Sequence, residues 1–282
     1  MTMPPVAPPP LAPLPLDFGV GRAPRTLTLL PDCIPGVATA AHFIPAAQSL
    51  TFPPPDCARR LLFVVSGDGS VQAPAAAPLE FTALALLILP ATAAVTLSAA
   101  APLTLLEIRF AQTPEELASA AAAATTNAPP PDAGFVADLR LVAYAACPTY
   151  REAIKSPQTV NRTLVPPGWL PRFAMGSVET AGPDAVAPHA HPMLEQLFFG
   201  LPGNDCTVTA DGAAAAFGGP TLLYIPRGSL HGATVAAGRR LHYLWLDFFP
   251  TAADMQWIRD QHIDNPAPPA SGDAVAYQPK PE

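Results

Sequence analysis

The chain has 282 residues, half of them hydrophobic, with 13% charged and a formal net charge of -7. That length fits one large or two modest domains, and the apolar share is ample for a core. The acidic balance, with no Lys/Arg cluster, gives nucleic acid and anionic membrane surfaces no electrostatic hold, so neither is expected as a partner.

Residues 1–25, opening "MTMPPVAPPPLAPLPLDFG", have neither a basic start nor an unbroken apolar run, so they read as a Pro-rich extended arm and not as a signal peptide. The four cysteines, Cys33, Cys57, Cys147 and Cys206, are scattered without a CxxC, which reads as plain buried thiols in a reducing, cytoplasmic setting. Over 26–110 the apolar runs are short: "RRLLFVVSG", "LALLILP" and "LTLLEIRF" mix Leu with β-branched and aromatic residues between Gly, Pro and Asp. They predict strands. Residues 81–106 are uncharged and long enough to cross a bilayer, but Pro90 and Pro102 interrupt them and basic flanks are missing. Buried strands fit them better. The segment 111–160 reads as a connector whose "TPEELASAAAAATTN" predicts a helix capped by Thr113 with Glu116 three residues on, and closed by the prolines at 129–131. Residues 161–250 return to short apolar runs, among them "RLHYLWLDFF"; "TAADMQWIRDQHI", 251–263, predicts a short helix, and the remainder to 282 a loose tail.

The two strand-rich stretches are related by one ungapped offset of 136 residues. "RTL" at 26–28 falls on "RTL" at 162–164, and "LLILP" at 86–90 on "LLYIP" at 222–226. Leu61, Phe63, Gly67 and Phe81 fall on Leu197, Phe199, Gly203 and Phe217. Phe, Gly, Arg and Pro matches at a single offset point to duplication, and repeated short strands to a β-sandwich or barrel in each half.

The second copy carries the chemistry. "PHAHPMLEQLFFG", 188–200, spaces His189, His191 and Glu195 as H-x-H-x3-E, and on a single strand those three positions share one face. "YIPRGSLHG", 224–232, turns at Pro226 and Gly228 and delivers His231 as a fourth ligand from a neighbouring strand. Imidazoles with a carboxylate suit Mn, Zn, Fe, Ni or Co with a position left open. Arg227 is a candidate for holding a substrate carboxylate. Tyr224, Tyr243, Trp245 and Met175 are candidates for lining the cavity, and His242 for a place beside it. At the repeat offset the four ligand positions of the first copy are Pro53, Pro55, Arg59 and Val95, none of them a usual ligand.

These segments resemble the two cupin motifs, G-x5-HxH-x3,4-E-x6-G and G-x5-PxG-x2-H-x3-N, at His189, His191, Glu195, Pro226, Gly228 and His231, with Val235 in place of the final Asn. With the duplication, the chain resembles a bicupin. That implies an all-β fold of two tandem jelly-roll barrels, 26–110 metal-free and 161–250 holding one divalent ion, with a short helical connector and a C-terminal helix. Among bicupins it is similar to the (S)-ureidoglycine aminohydrolases at "RTLTLLPD", "RRLLFVVSGDGSV", "LVPPGW" and "LHYLWLDFF". Its ligand types are those of ordinary cupins, and Leu246 stands where that family has a lysine. The resemblance implies a metal-dependent enzyme acting on a small polar carboxylate or ureido compound, of hydrolase or aminohydrolase type. A sugar-acid isomerase, an Fe or Mn dioxygenase or decarboxylase, and a non-catalytic binding module are the alternatives. A small-molecule substrate is the expected partner, and a homodimer is compatible with the resemblance.

Overall fold

In a computed structural model the chain is described at residues 9–14, 23–74, 77–113, 115–116, 139–152, 155–256 and 276–277. It divides into two compact units, Leu14–Cys147, and Met1–Pro13 with Pro148–Glu282.

The first unit is built from two antiparallel sheets. The larger runs Arg140–Ala143, Ala85–Ile88, Ala58–Ser66, Leu103–Ala111, Val37–Ile44, Arg25–Leu29; the smaller runs Ser49–Phe52, Val95–Ala99, Gly69–Gln72, Leu79–Phe81. The apolar stretch 81–106 is thus cut into strands at its prolines, and no helix among the described residues is long and apolar enough to cross a membrane. Residues 61–65 of the strand Ala58–Ser66 are apolar in succession because both its faces are covered, whereas Val95–Ala99 alternates buried and half-buried as a strand with one wet face does. Leu62, Val64, Phe81, Leu87 and Leu105 meet in the core between the sheets.

The other unit repeats the plan. Its larger sheet runs Leu11–Pro13, Thr221–Ile225, Glu195–Gly200, Arg240–Phe248, Phe173–Ala181, Val160–Leu170, Thr149–Glu152, Ala276–Tyr277. Its smaller sheet runs Asp184–His189, His231–Val235, Asp205–Ala210, Ala213–Gly218. Val95–Ala99 maps onto His231–Val235 at the 136-residue offset, and Val37–Ile44 onto Phe173–Ala181 short of its last residue. Gly67 and Gly203, equivalent in the repeat, both turn with φ in the left-handed region, +89° and +85°, which glycine adopts without strain. The core of this unit gathers Val178, Phe198, Phe217, Leu223, Leu241 and Tyr243.

The arm and the segments read as helical behave individually. Leu11–Pro13 adds an edge strand to Thr221–Ile225, pairing Leu11 with Leu223. Thr113 and Glu116 form the reciprocal capping pair, Glu116 N–H to Thr113 Oγ1 at 3.2 Å and Thr113 N–H to Glu116 Oε2 at 2.7 Å; the rest of that helix lies outside the described residues. Residues 140–143 of the connector form a strand. Thr251 caps the short C-terminal helix through Asp254, and its continuation past 256 lies outside the described residues. In the tail, Ala276–Tyr277 is paired with Arg151–Glu152 rather than loose. All four thiols are free, but Cys57 is exposed and Cys33 half-buried, so only Cys147 and Cys206 answer to the expected buried type.

Candidate metal centre

Three imidazoles converge in the second repeat. His189 ends the strand Asp184–His189, His191 follows in the turn, and His231 opens the neighbouring strand, so the β pairing that joins His189 to His231 brings the two motifs together. One ligand atom from each of His189, His191 and His231 lies within 4.8 Å of the others. The ring centroids of His189 and His231 are 4.5 Å apart.

The hydrogen bonds fix the tautomers of two of them. His231 Nδ1 donates to the carbonyl of Ser229 at 2.9 Å and His189 Nδ1 to that of Ala187 at 2.8 Å. A carbonyl only accepts, so the proton sits on Nδ1 and the Nε2 lone pair is left for a cation, the arrangement found at metal-bound imidazoles. His231 Nε2 is buried and has no hydrogen-bond partner among the described residues. Burial drives His231 down to about 4, and lowers His189 too, so both rings are neutral at physiological pH. Neutral, convergent imidazoles with an orphaned buried nitrogen fit a divalent ion.

Glu195 is not in this group. The reading of 189, 191 and 195 as one strand face does not hold, because the chain leaves the smaller sheet after His189 and crosses by a turn into the larger sheet before Glu195. Glu195 there shares a face with Leu197 and Phe199, and its Oε2 accepts from the Tyr224 hydroxyl at 2.9 Å and the Arg227 N–H at 2.9 Å. The inward neighbour is Gln196, on the same face as Phe198 of the core.

The substrate candidates divide by the same parity. Tyr243 and Trp245 face the core, and the Tyr243 ring packs 4.7 Å from Phe198, which in turn lies 5.6 Å from His231. His242 lies on the opposite face of that strand, next to Glu179, where burial lowers its pKa to about 4; it is not beside the imidazoles. Met175, paired with Leu246, is also turned outward, and Tyr224 is occupied with Glu195. Arg227 donates from Nε to the Pro192 carbonyl, which ties it over the turn.

The motifs did not announce a second group of polar residues in this unit. Asp247 accepts a hydrogen bond from Gln196 Nε2 at 2.8 Å, and burial pushes its carboxyl up to about 7. Lys155 Nζ lies 2.9 Å from Glu152 and donates to Asn161 at 2.8 Å. The charges of Glu152 and Lys155 act on both His189 and Asp247. Gln196 stands at the x4 spacing that the cupin motif allows, with Gly203 seven residues on, and that was the signal for it. No signal marked Glu152 or Lys155.

The first unit differs at the equivalent place. Glu107, buried on the inward face, is held by His42 Nε2 at 2.6 Å and Arg60 Nε at 2.7 Å, with Arg109 Nε at 3.2 Å. Burial pushes the Glu107 carboxyl up, but the His42 hydrogen bond and the cationic neighbours outweigh it and keep it below the usual range. The Arg60 guanidinium also donates to the carbonyl of Pro53, the residue that replaces His189 in the repeat. A guanidinium thus sits beside the position where the other unit presents an imidazole.

No family model matches the sequence, and no curated protein matches it. Solved structures do. A cupin 2 conserved barrel domain protein from Leptotrichia buccalis matches with TM-score 0.55 at 13% identity, over 83% of this chain and 92% of that one. An oxalate decarboxylase from Lactobacillus farciminis, in a formate complex, matches with TM-score 0.60 at 11% identity, over 82% and 83%. A salicylate 1,2-dioxygenase from Pseudaminobacter salicylatoxidans matches with TM-score 0.56 at 10% identity, over 85% and 79%. At such identities the likeness is one of fold: the chain is all-β and folds as the cupin-barrel proteins do.

Proposed function

We propose that the protein is a bicupin enzyme, with a metal-free first barrel and a second barrel holding one divalent ion on His189, His191 and His231, that acts on a small polar carboxylate or ureido compound. The convergence of three imidazole ligand atoms within 4.8 Å carries this reading. When bound, such an ion acts as a Lewis acid toward a carboxylate, carbonyl or ureido oxygen. The chain supplies the rest. Ser229 and Ala187 hold His231 and His189 in the ligating tautomer, and burial keeps both rings unprotonated. Phe198 and Tyr243 form an apolar floor that limits water. Gln196, Asp247 and Lys155 line a polar wall suited to a charged substrate.

Hydrolysis or deamination, with the metal as Mn or Zn, is the leading chemistry. A redox reading is favoured by two observations: the convergent set is three imidazoles without Glu195, and the fold is shared with an oxalate decarboxylase and a salicylate dioxygenase. The test is metal analysis of protein purified without added metal, followed by turnover assays on small dicarboxylic, hydroxy and ureido acids with and without O2. One ion per chain, lost in His231→Ala, is the expected result. An ion retained in His231→Ala, or two per chain, sinks the proposal. O2 consumption selects the redox reading.

A further inference from the structure

The carboxyl of Asp247 stands on the inward face of Arg240–Phe248, the face that carries Leu241, Tyr243 and Trp245. Gln196 is its partner on the adjacent strand and donates to its Oδ1; Oδ2 takes no hydrogen bond among the described residues. Phe198, two residues after Gln196 on that face, packs 5.6 Å from the His231 ring. Two residues of strand span about 7 Å. The pair therefore lies one repeat of the pleat from the floor beneath the imidazoles.

Charged and titratable neighbours reach Asp247 from several elements. Tyr243 lies on its own strand, Tyr150 and Glu152 belong to Thr149–Glu152, and Lys155 sits at the bridge to Val186. Phe173–Ala181 contributes only the uncharged Ala174 opposite it. The smaller sheet contributes His189, which feels the same Glu152 and Lys155.

We propose that Asp247, positioned by Gln196, is the acid–base group of the three-histidine site, exchanging a proton with a small carboxylic or ureido substrate held at the imidazoles. The role rests on reading those imidazoles as a metal site. As a carboxylate, Asp247 takes a proton from a water, whose oxygen uses the freed electron pair to bond the substrate carbon. As the acid, it returns that proton to the atom that gains the electron pair when the substrate bond breaks. Burial and Glu152 hold the proton on, while Gln196 and Lys155 favour its release, so both forms are present near neutrality, as proton exchange in each direction requires.

The experiment is a 13C-carboxyl NMR titration of aspartate-labelled, metal-free full-length protein, with manganese and zinc uptake measured in parallel on wild type, Asp247→Asn and Gln196→Leu. One carboxyl is expected to titrate near pH 7 in wild type, to vanish in Asp247→Asn, and to move higher in Gln196→Leu, which loses a donor to the ionised form. Metal uptake is expected to be equal in all three. An inflection below about pH 5, the ordinary carboxyl range, overturns the proposal. So does a tenfold loss of metal in Asp247→Asn, which would make it a ligand. Gln196→Leu guards against a folding defect in Asp247→Asn, because its own shift must still appear. A wild type that takes up no ion sinks the metal reading, and the role with it, even where the inflection stands.

Discussion

At the scale of single residues, one position decides which side chain faces the core. Glu195 and Gln196 are neighbours, and successive residues on a strand face opposite ways, so only one of them can point to the core. The turn at 190–194 gives that place to Gln196. His231→Ala is expected to weaken divalent-metal binding by more than about 100-fold, well beyond the usual cost of an outer partner, whereas Glu195→Gln leaves it unchanged; calorimetric titration with zinc measures both. Protonation gives a second prediction. His242, like His231, titrates near 4 in the folded protein because it is buried, whereas an unfolded imidazole titrates near 6.5. Between those values the unfolded chain binds more protons, so this pair makes stability rise with pH across the window, by about 3 kcal/mol each at most. Asp247, raised to about 7, pulls the other way above pH 4. His242→Gln is therefore expected to flatten the rise of Tm between pH 4.5 and 6.5, and an unchanged slope would show that His242 is hydrated in the folded state.

At the scale of elements, close backbone packing holds the wall in place. A Cβ on Gly176 would fall 2.2 Å from Trp245 Cζ2 and 2.3 Å from the Arg162 carbonyl, so Gly176→Ala must displace the indole next to Asp247. It is expected to cost about 1–3 kcal/mol, read by urea denaturation. Leu11–Pro13 covers the outer edge of Thr221–Ile225, the strand that leads into the turn before His231. Deleting residues 1–14 is expected to lower Tm and to promote association at the uncovered edge, followed by light scattering. Strand existence was legible from the short apolar runs, the capping pair from Thr113 and Glu116, and the start of the C-terminal helix from Thr251. The pairing of the arm was not, because a Pro-rich segment has no periodicity that names its partner.

At the scale of the whole molecule, one sheet plan is used for two different interiors. Where one unit gathers imidazoles, the other buries Arg60 and His42 around Glu107. Removing one member of such a network leaves an uncompensated charge, so Arg60→Ala is expected to cost about 3–5 kcal/mol while the metal content stays that of wild type. A loss of metal in that variant would place the ion in the wrong repeat.

The sequence by itself determined the all-β class, the 136-residue repeat and the three histidines, because periodicity, turn residues and ligand spacing are local properties of the chain. The tertiary structure alone decided that Glu195 turns away, that His242 and Tyr224 lie on the other face, and that the charges of Glu152 and Lys155 act on both His189 and Asp247. Those outcomes depend on where the chain crosses from one sheet to the other and on which strands lie side by side. A crossing shifted by one residue reverses every face that follows it.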